Sequence, residues 1–228
     1  MLRRWRFRKR CRSQAGLCAV PVLKRYLEQG AELKPGNIGE TPLIAVDLEL
    51  TGLDATKDKI ISVGWTQVDG GRVRIGSNRH ILVNVDQSVG ASAVIHELMD
   101  HEVSAGVELA LALESLFEAA AGRVWVFHHA GLDVAFLQKA CKSWAGMAPP
   151  FVVLDTMKIE LGLRKRRDLP VQQGDLQLGR LRAAYHLPRY TAHNALIDAF
   201  ATAELMLAIA ARLDKKNPLD LAPHLRFI

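Results

Sequence analysis

Cysteine is scarce: Cys11, Cys18 and Cys141 are the only three among 228 residues. Their number is odd and their spacing fits no zinc-ligand pattern, so neither a disulfide framework nor a structural zinc site is expected. A reduced, cytoplasmic setting is the matching expectation. Long apolar runs are also missing. No uncharged apolar stretch approaches 18 residues, so no transmembrane helix is expected. Residues 15–23 follow a basic start, as the core of a signal peptide would. They contain Pro21, however, and run into Lys24 and Arg25 without a small-residue cleavage site. Secretion is therefore not expected. A content of 49% hydrophobic and 24% charged residues excludes a disordered chain and allows one sizeable core.

Acidic residues are absent from positions 1–13, which carry Arg3, Arg4, Arg6, Arg8, Lys9, Arg10 and Arg12. Removing these seven from the 30 basic residues leaves 23 against 24 acidic ones. The net charge of +6 thus belongs to an N-terminal arm, and the body is near neutral. Two readings of the arm stay open: contact with nucleic acid or another anionic surface, or a solvated, frayed terminus.

Three parts are expected along the chain. Residues 1–40 form the basic arm and a short helix around Pro21–Gln29, closed by Gly30. Lys34-Pro35-Gly36 and Gly39 mark a linker. The main domain runs from 41 to 213, and 214–228 form a tail with Pro218 and Pro223. Leu43–Leu48 is a compact apolar run suited to a buried strand. Lys59–Val68, the turn Asp69-Gly70-Gly71 and Arg72–Val83 complete an antiparallel meander. The period then lengthens. Val103–Ala121 reads as helix, Val124–Phe127 as strand, Leu132–Trp144 as helix and Phe151–Leu154 as strand. Asp175 is placed to cap a helix over Leu176–Tyr185, which Pro188 stops, and Ala195–Leu213 is a long alanine-rich helix. The expected fold is α/β: a mixed sheet, with a three-strand antiparallel meander and two parallel strands, flanked by helices.

Acids stand where these elements begin and end. Asp47 and Glu49 are two apart on the first strand and share a face. Asp133 follows the strand Val124–Phe127 at the mouth of a helix, where an acid also suits the helix dipole. Asp198 lies in the first turn of the last helix. His193, five residues earlier, reaches it only from the preceding loop. Each acid has an ordinary structural explanation when taken alone. His96 and His101 are five apart, the wrong spacing for a metalloprotease, and read as a helix-start surface segment. Trp125 and Trp144 read as core.

The order of the motifs is more specific. VDLELTGLD (46–54), FHHAGLDVAFL (127–137) and AHNALIDAFATAEL (192–205), with Leu154-Asp155-Thr156 between the last two, resemble the motifs of the DEDDh exonucleases. That group contains the proofreading subunit of bacterial DNA polymerase III. The match covers roughly 41–213. It implies a ribonuclease H-like fold and removal of 5′-nucleotides from single-stranded 3′ ends, DNA favoured over RNA. Two departures stand out, Leu48 where the family often has Thr and His129 where it usually has Asn.

Four clustered carboxylates repel, by about 4 kcal/mol per pair at 4 Å and an effective dielectric near 20. Oxygen-only ligands select hard ions, so two Mg²⁺ or Mn²⁺ are expected on Asp47, Glu49, Asp133 and Asp198, with Asp47 bridging. His193 is the expected general base. The resemblance further implies substrate contacts at Leu48, Thr51, Gly52, Leu53 and His129. Arg164, Lys165, Arg166 and Arg167 form a second basic run, read either as a phosphate guide or as a solvated loop. Two other functions remain open: an oligoribonuclease or RNA 3′-end trimmer, and a non-catalytic nucleic-acid-binding module of a polymerase assembly. A polymerase partner is compatible with each.

Overall fold

The computed structural model describes residues 2–85, 106–213 and 217–228. The basic arm is a helix, α1 (Leu2–Leu17), whose residues Phe7, Cys11 and Ala15 recur every four positions and are buried. They pack against α2 (Pro21–Glu32), which buries Leu23, Tyr26, Leu27, Gly30 and Ala31. The arm is therefore no frayed terminus. Several of its cations also have structural work. Arg4 and Arg8 both donate to the Leu33 carbonyl, at 3.3 and 3.1 Å, where α2 leaves carbonyls unpaired. Arg12 pairs with Glu32 at 2.9 Å, and Arg10 donates to the Ala148 carbonyl at 3.1 Å.

Six strands form one sheet in the order β3-β2-β1-β4-β5-β6. The antiparallel meander is β1 (Leu43–Leu50), β2 (Ile60–Asp69) and β3 (Arg72–Leu82), and β4 (Val124–Phe127) and β5 (Val152–Asp155) add in parallel. The sixth strand goes beyond expectation. Arg226–Phe227 of the tail pair antiparallel with Val153 and Val152, and Phe7 of α1 packs on Phe227 with ring centroids 5.3 Å apart. Two residues are too few to show a strand period.

The helices differ from expectation at their ends. The helix expected from Val103 begins, among the described residues, at Leu109, as α3 (Leu109–Ala120). Val107 is instead bound to the end of β3, donating to the Leu82 carbonyl and accepting from the Asn84 N–H. α4 spans Ala130–Ala145. An unexpected helix, α5 (Thr156–Arg166), follows β5 directly, its first turn capped by the Asp155 carboxylate on the Lys158 N–H at 3.1 Å. The run Arg164–Arg167 is thus a helix end, and the solvated-loop reading is corrected. α6 (Leu178–Ala184) starts later than expected, with Gln177 at its N-cap position and no side-chain cap. Asp175 does not cap it, because its carboxylate accepts from the Gln172 N–H at 2.9 Å and from Arg164 at 3.2 Å. α7 (Ala195–Leu213) has the expected bounds and lies across β1, β2 and β3. The His96–His101 segment lies outside the described residues.

Candidate metal and nucleic-acid site

The site forms where α7 lands on the meander. In the β1–β2 register Asp47 lies opposite Gly64, and Glu49 opposite Ser62. A Cβ on Gly64 would collide with the Ala195 carbonyl and the Leu196 nitrogen. Only glycine lets the first turn of α7 rest on the sheet at this level. Asn194 caps that turn, its side-chain oxygen accepting from the Leu196 and Ile197 N–H groups at 3.1 and 3.2 Å. Asp198 is thereby carried to β1. Ligand oxygens of Asp47, Glu49 and Asp198 all come within 4.8 Å of one another.

His193 sits on the loop before α7 in the left-handed region, φ 69°. Its N–H donates to the Asp198 carboxylate at 2.9 Å, so one acid fixes the backbone that presents the imidazole. Asp133 lies in the first turn of α4 and is 6% exposed. It stands outside the compact trio, yet the Leu48 backbone and the charge of Glu49 both act on its carboxyl.

Burial and mutual repulsion push these acids upward. Glu49 rises to about 7, first through burial and then through Asp198. Asp133 rises to about 8, chiefly through burial, against the pull of two backbone N–H groups. Asp47 lies well above the usual carboxylate range through burial and then the charges of Asp133, Asp198 and Glu49. Asp198 is raised by burial and held back by the His193 N–H and the charges of His193 and Arg182. An all-oxygen donor set that resists ionisation by itself fits hard divalent cations, which relieve both the burial cost and the repulsion.

The substrate contacts implied by the resemblance fall into two groups. Thr51, Gly52 and Leu53 form one turn after β1, closed by Asp58. The Asp58 carboxylate accepts from the Thr51 hydroxyl at 3.2 Å and the Asp54 N–H at 2.8 Å. A Cβ on Gly52 would lie 2.5 Å from that carboxylate, so a larger residue there would displace Asp58 from the turn. Leu53 stands at the tip, 79% exposed. The Leu48 side chain is buried in the core, on the face opposite Asp47. His129 is exposed at the head of α4 with φ 80°. It is not among the residues lining the large cavity beside the acids.

That cavity, about 640 Å³, is bounded by Asp47, Asp198 and His193 and by His128, Arg180 and Tyr190. The first histidine of the pair therefore faces it, not the second. His128 Nε2 lies 2.8 Å from the Leu176 carbonyl, which can only accept. Nδ1 lies 2.8 Å from the Thr156 hydroxyl, whose one proton is shared between this nitrogen and the Phe127 carbonyl at 3.2 Å. Burial lowers the His128 pKa and favours its neutral form. Sequence reasoning assigned no role to His128 or to Arg182. The latter is 3% exposed and donates to the Ala201 and Pro188 carbonyls and to Glu204, at 2.8, 2.9 and 2.8 Å. Its guanidinium lies 4.4 Å from the Tyr190 ring. One buried cation thus ties the loop that carries His193 to α7. His128 stands in the second motif without being its distinctive residue, and Arg182 stands in no motif, so only the fold could reveal them.

The exonuclease family model (RNase_T) matches residues 44–206, more than half of the chain. A Mycobacterium tuberculosis protein named as a bifunctional exonuclease/endonuclease is 31% identical over 199 residues, 83% of this chain and 30% of that one. The 3′-5′ exonuclease DinG of Staphylococcus haemolyticus is 27% identical over 84% of this chain and 20% of its own length. The PolC-type DNA polymerase III of Thermotoga maritima is 24% identical over 89% of this chain and 15% of its own. The chain thus spans 30% or less of these curated relatives. Among solved structures, E. coli Exonuclease I with a dA16 oligonucleotide superposes with a TM-score of 0.64 at 14% identity, covering 76% of this chain and 41% of that one. Cell-death related nuclease 4 gives 0.62 at 14% identity, covering 74% and 63%. These likenesses show a shared ribonuclease H-like fold. The chain belongs to the exonuclease family, and the domain it carries is of the DEDDh 3′-5′ exonuclease type.

Proposed function

We propose that the chain removes 5′-nucleotides one at a time from single-stranded 3′ ends, DNA in preference to RNA, using Mg²⁺ or Mn²⁺. The observation that carries this reading is the convergence of Asp47, Glu49 and Asp198 within 4.8 Å, with Asp47, Asp198 and His193 lining one cavity and the His193 N–H donating to Asp198. Asp47, Glu49, Asp198 and Asp133 would hold two cations. Such ions, when bound, offset phosphate charge and make water a better nucleophile near neutral pH. His193 would take the proton of the attacking water, because histidine exchanges protons near neutrality. Asp198 would act twice, as a ligand and as the anchor of the His193 backbone. Leu53, exposed at the tip of its turn, would pack beside the terminal base, with Thr51 and Gly52 bordering the same nucleotide. His129, which does not line the cavity, would meet substrate only outside it.

The oligonucleotide-bound Exonuclease I neighbour supports a single-stranded substrate, and the PolC-type relative supports a polymerase setting, hence a cytoplasmic one. The test is digestion of 5′-labelled single-stranded DNA, RNA, duplex DNA and dinucleotides with Mg²⁺, Mn²⁺ or chelator. A ladder shortening from the 3′ end, only with metal, is expected. Release from the 5′ end, or full activity in chelator, would overturn the reading. Preference for RNA or dinucleotides would favour the oligoribonuclease alternative, and binding without shortening would favour a non-catalytic module.

A further inference from the structure

Beyond the acids, the large cavity has a second wall with different chemistry. Arg180 of α6 and Arg189 and Tyr190 of the following loop line it, and all three are exposed to solvent. Tyr190 is 40% exposed, and its ring packs against the Arg182 guanidinium, at 4.4 Å, and Phe200, with centroids 6.1 Å apart. A ring fixed in this way loses little freedom when a base stacks on it.

Arg180 also connects this wall to the end of α5. Asp175 pairs with Arg180 at 3.6 Å and with Arg164 at 3.2 Å. The bridge joins Arg180 to the helix end that also carries the exposed Lys165, Arg166 and Arg167. Asp175 is shared with Arg164 and caps the Gln172 N–H, so it neutralises Arg180 only in part. Cations in series beside one aromatic platform form the pattern that binds single strands without reading sequence.

We propose that the strand behind the 3′-terminal nucleotide leaves the cavity along this wall. In this path Tyr190 stacks a base, Arg189 and Arg180 hold phosphates, and the basic end of α5 takes the next phosphates upstream. The inference rests on the exonuclease reading for its polarity and goes beyond it in naming the upstream path. The path uses α5 and α6, whereas Arg4, Arg8 and Arg12 of α1 bond to the end of α2 and Arg10 to Ala148.

The experiment measures binding of 5′-fluorescein-labelled dT2, dT6, dT12 and rU12 by anisotropy in chelator, where no turnover interferes, and then digestion of the same oligomers in Mg²⁺. The full chain is compared with Arg180→Glu/Arg189→Glu, Arg166→Glu/Arg167→Glu and Tyr190→Ala, each checked for an unchanged melting temperature. For the unmodified chain, affinity should grow from dT2 to dT12. The charge variants should lower the salt slope of dT12 binding by about 0.7 for each phosphate no longer neutralised. Tyr190→Ala should weaken dT12 about tenfold. The losses should be several times smaller on dT2, and the α5 variant should affect dT12 while sparing dT2. Equal losses at all lengths, an unchanged salt slope, or equal binding of a twelve-residue polyglutamate would overturn the path. rU12 binding as dT12 does would extend the path to RNA, as backbone-led recognition requires. The two readings fail separately. Length-dependent, arginine-dependent binding without shortening would retain the path and remove the nuclease reading, whereas 3′ shortening with length-independent losses would do the reverse.

Discussion

Gly64 of β2 and Ala195 of α7 touch backbone to backbone, and Asp47 lies beside them as the strand partner of Gly64. This single close approach sets how near Asp198 comes to Asp47 and Glu49. It also explains why a residue without a side chain stands in the middle of a buried, β-branched strand.

Gly64→Ala should therefore injure the site more than the fold. The added methyl would meet backbone atoms that cannot rotate away, and overpacking of this kind costs roughly 1–3 kcal/mol. The relief available is a displacement of the α7 start, which moves Asp198 and the His193 loop together. Metal-induced stabilisation should fall and 3′ trimming should drop at least a hundredfold, with secondary structure intact by circular dichroism. Trimming at the original rate would show that the close approach does not position the acids.

The raised carboxylates predict an unusual pH response. A group whose pKa rises on folding stabilises the fold below its unfolded pKa and loses that contribution as pH climbs through the folded value. For Glu49, moving from 4.5 to about 7, the loss is about 3 kcal/mol once pH passes 7. Asp133, at about 8, acts in the same direction. In chelator the melting temperature should fall between pH 5 and pH 9. Mg²⁺ at a hundred times its dissociation constant should return about 2.7 kcal/mol, and a fixed Mg²⁺ concentration should return more at high pH, where the ionised acids bind it more tightly. Calorimetry across this range with and without Mg²⁺ checks both. A chelator curve that rises with pH would contradict the burial of these groups.

His193→Ala separates base from ligand. The variant keeps the backbone N–H that Asp198 accepts, so metal-induced stabilisation should persist while turnover falls by about 10² to 10⁴. Asp198→Asn should lose both, since it removes a ligand charge and weakens the anchor of the His193 loop. Equal activity of His193→Ala and the unmodified chain would remove histidine from the proton transfer.

The strands β1, β2, β3, β4 and β5, the helix α7 and the order of the four acids were legible in the sequence because periodicity and motif order are local. The condition that His193 reach Asp198 from a loop was legible for the same reason, since Pro188 ends helix before it. What could not be read depended on distant partners. Nothing near His128 shows that it faces the cavity while His129 turns outward, because that follows from a positive φ at residue 129. Arg182 looks like any helix arginine until Pro188, Ala201 and Glu204 surround it. Asp175 has the local look of a cap and is drawn from that role by Arg164.

The arm gives the sharpest contrast between charge pattern and packing. Seven basic residues in thirteen suggest a solvated or ligand-seeking segment, and the residues that decide the matter are the apolar ones between them. Phe7 is 6% exposed and packs on Phe227 of β6, so it joins the first helix to the last strand. Phe7→Ala should cost about 3 kcal/mol, the lower end for a buried Phe→Ala change, because this position lies at the edge of the core. Arg8→Ala should cost roughly 1 kcal/mol by leaving the Leu33 carbonyl to Arg4 alone. A frayed arm predicts no change in either case. Chemical denaturation of the two variants decides between them, and a midpoint equal to that of the unmodified chain for Phe7→Ala would return the arm to solvent.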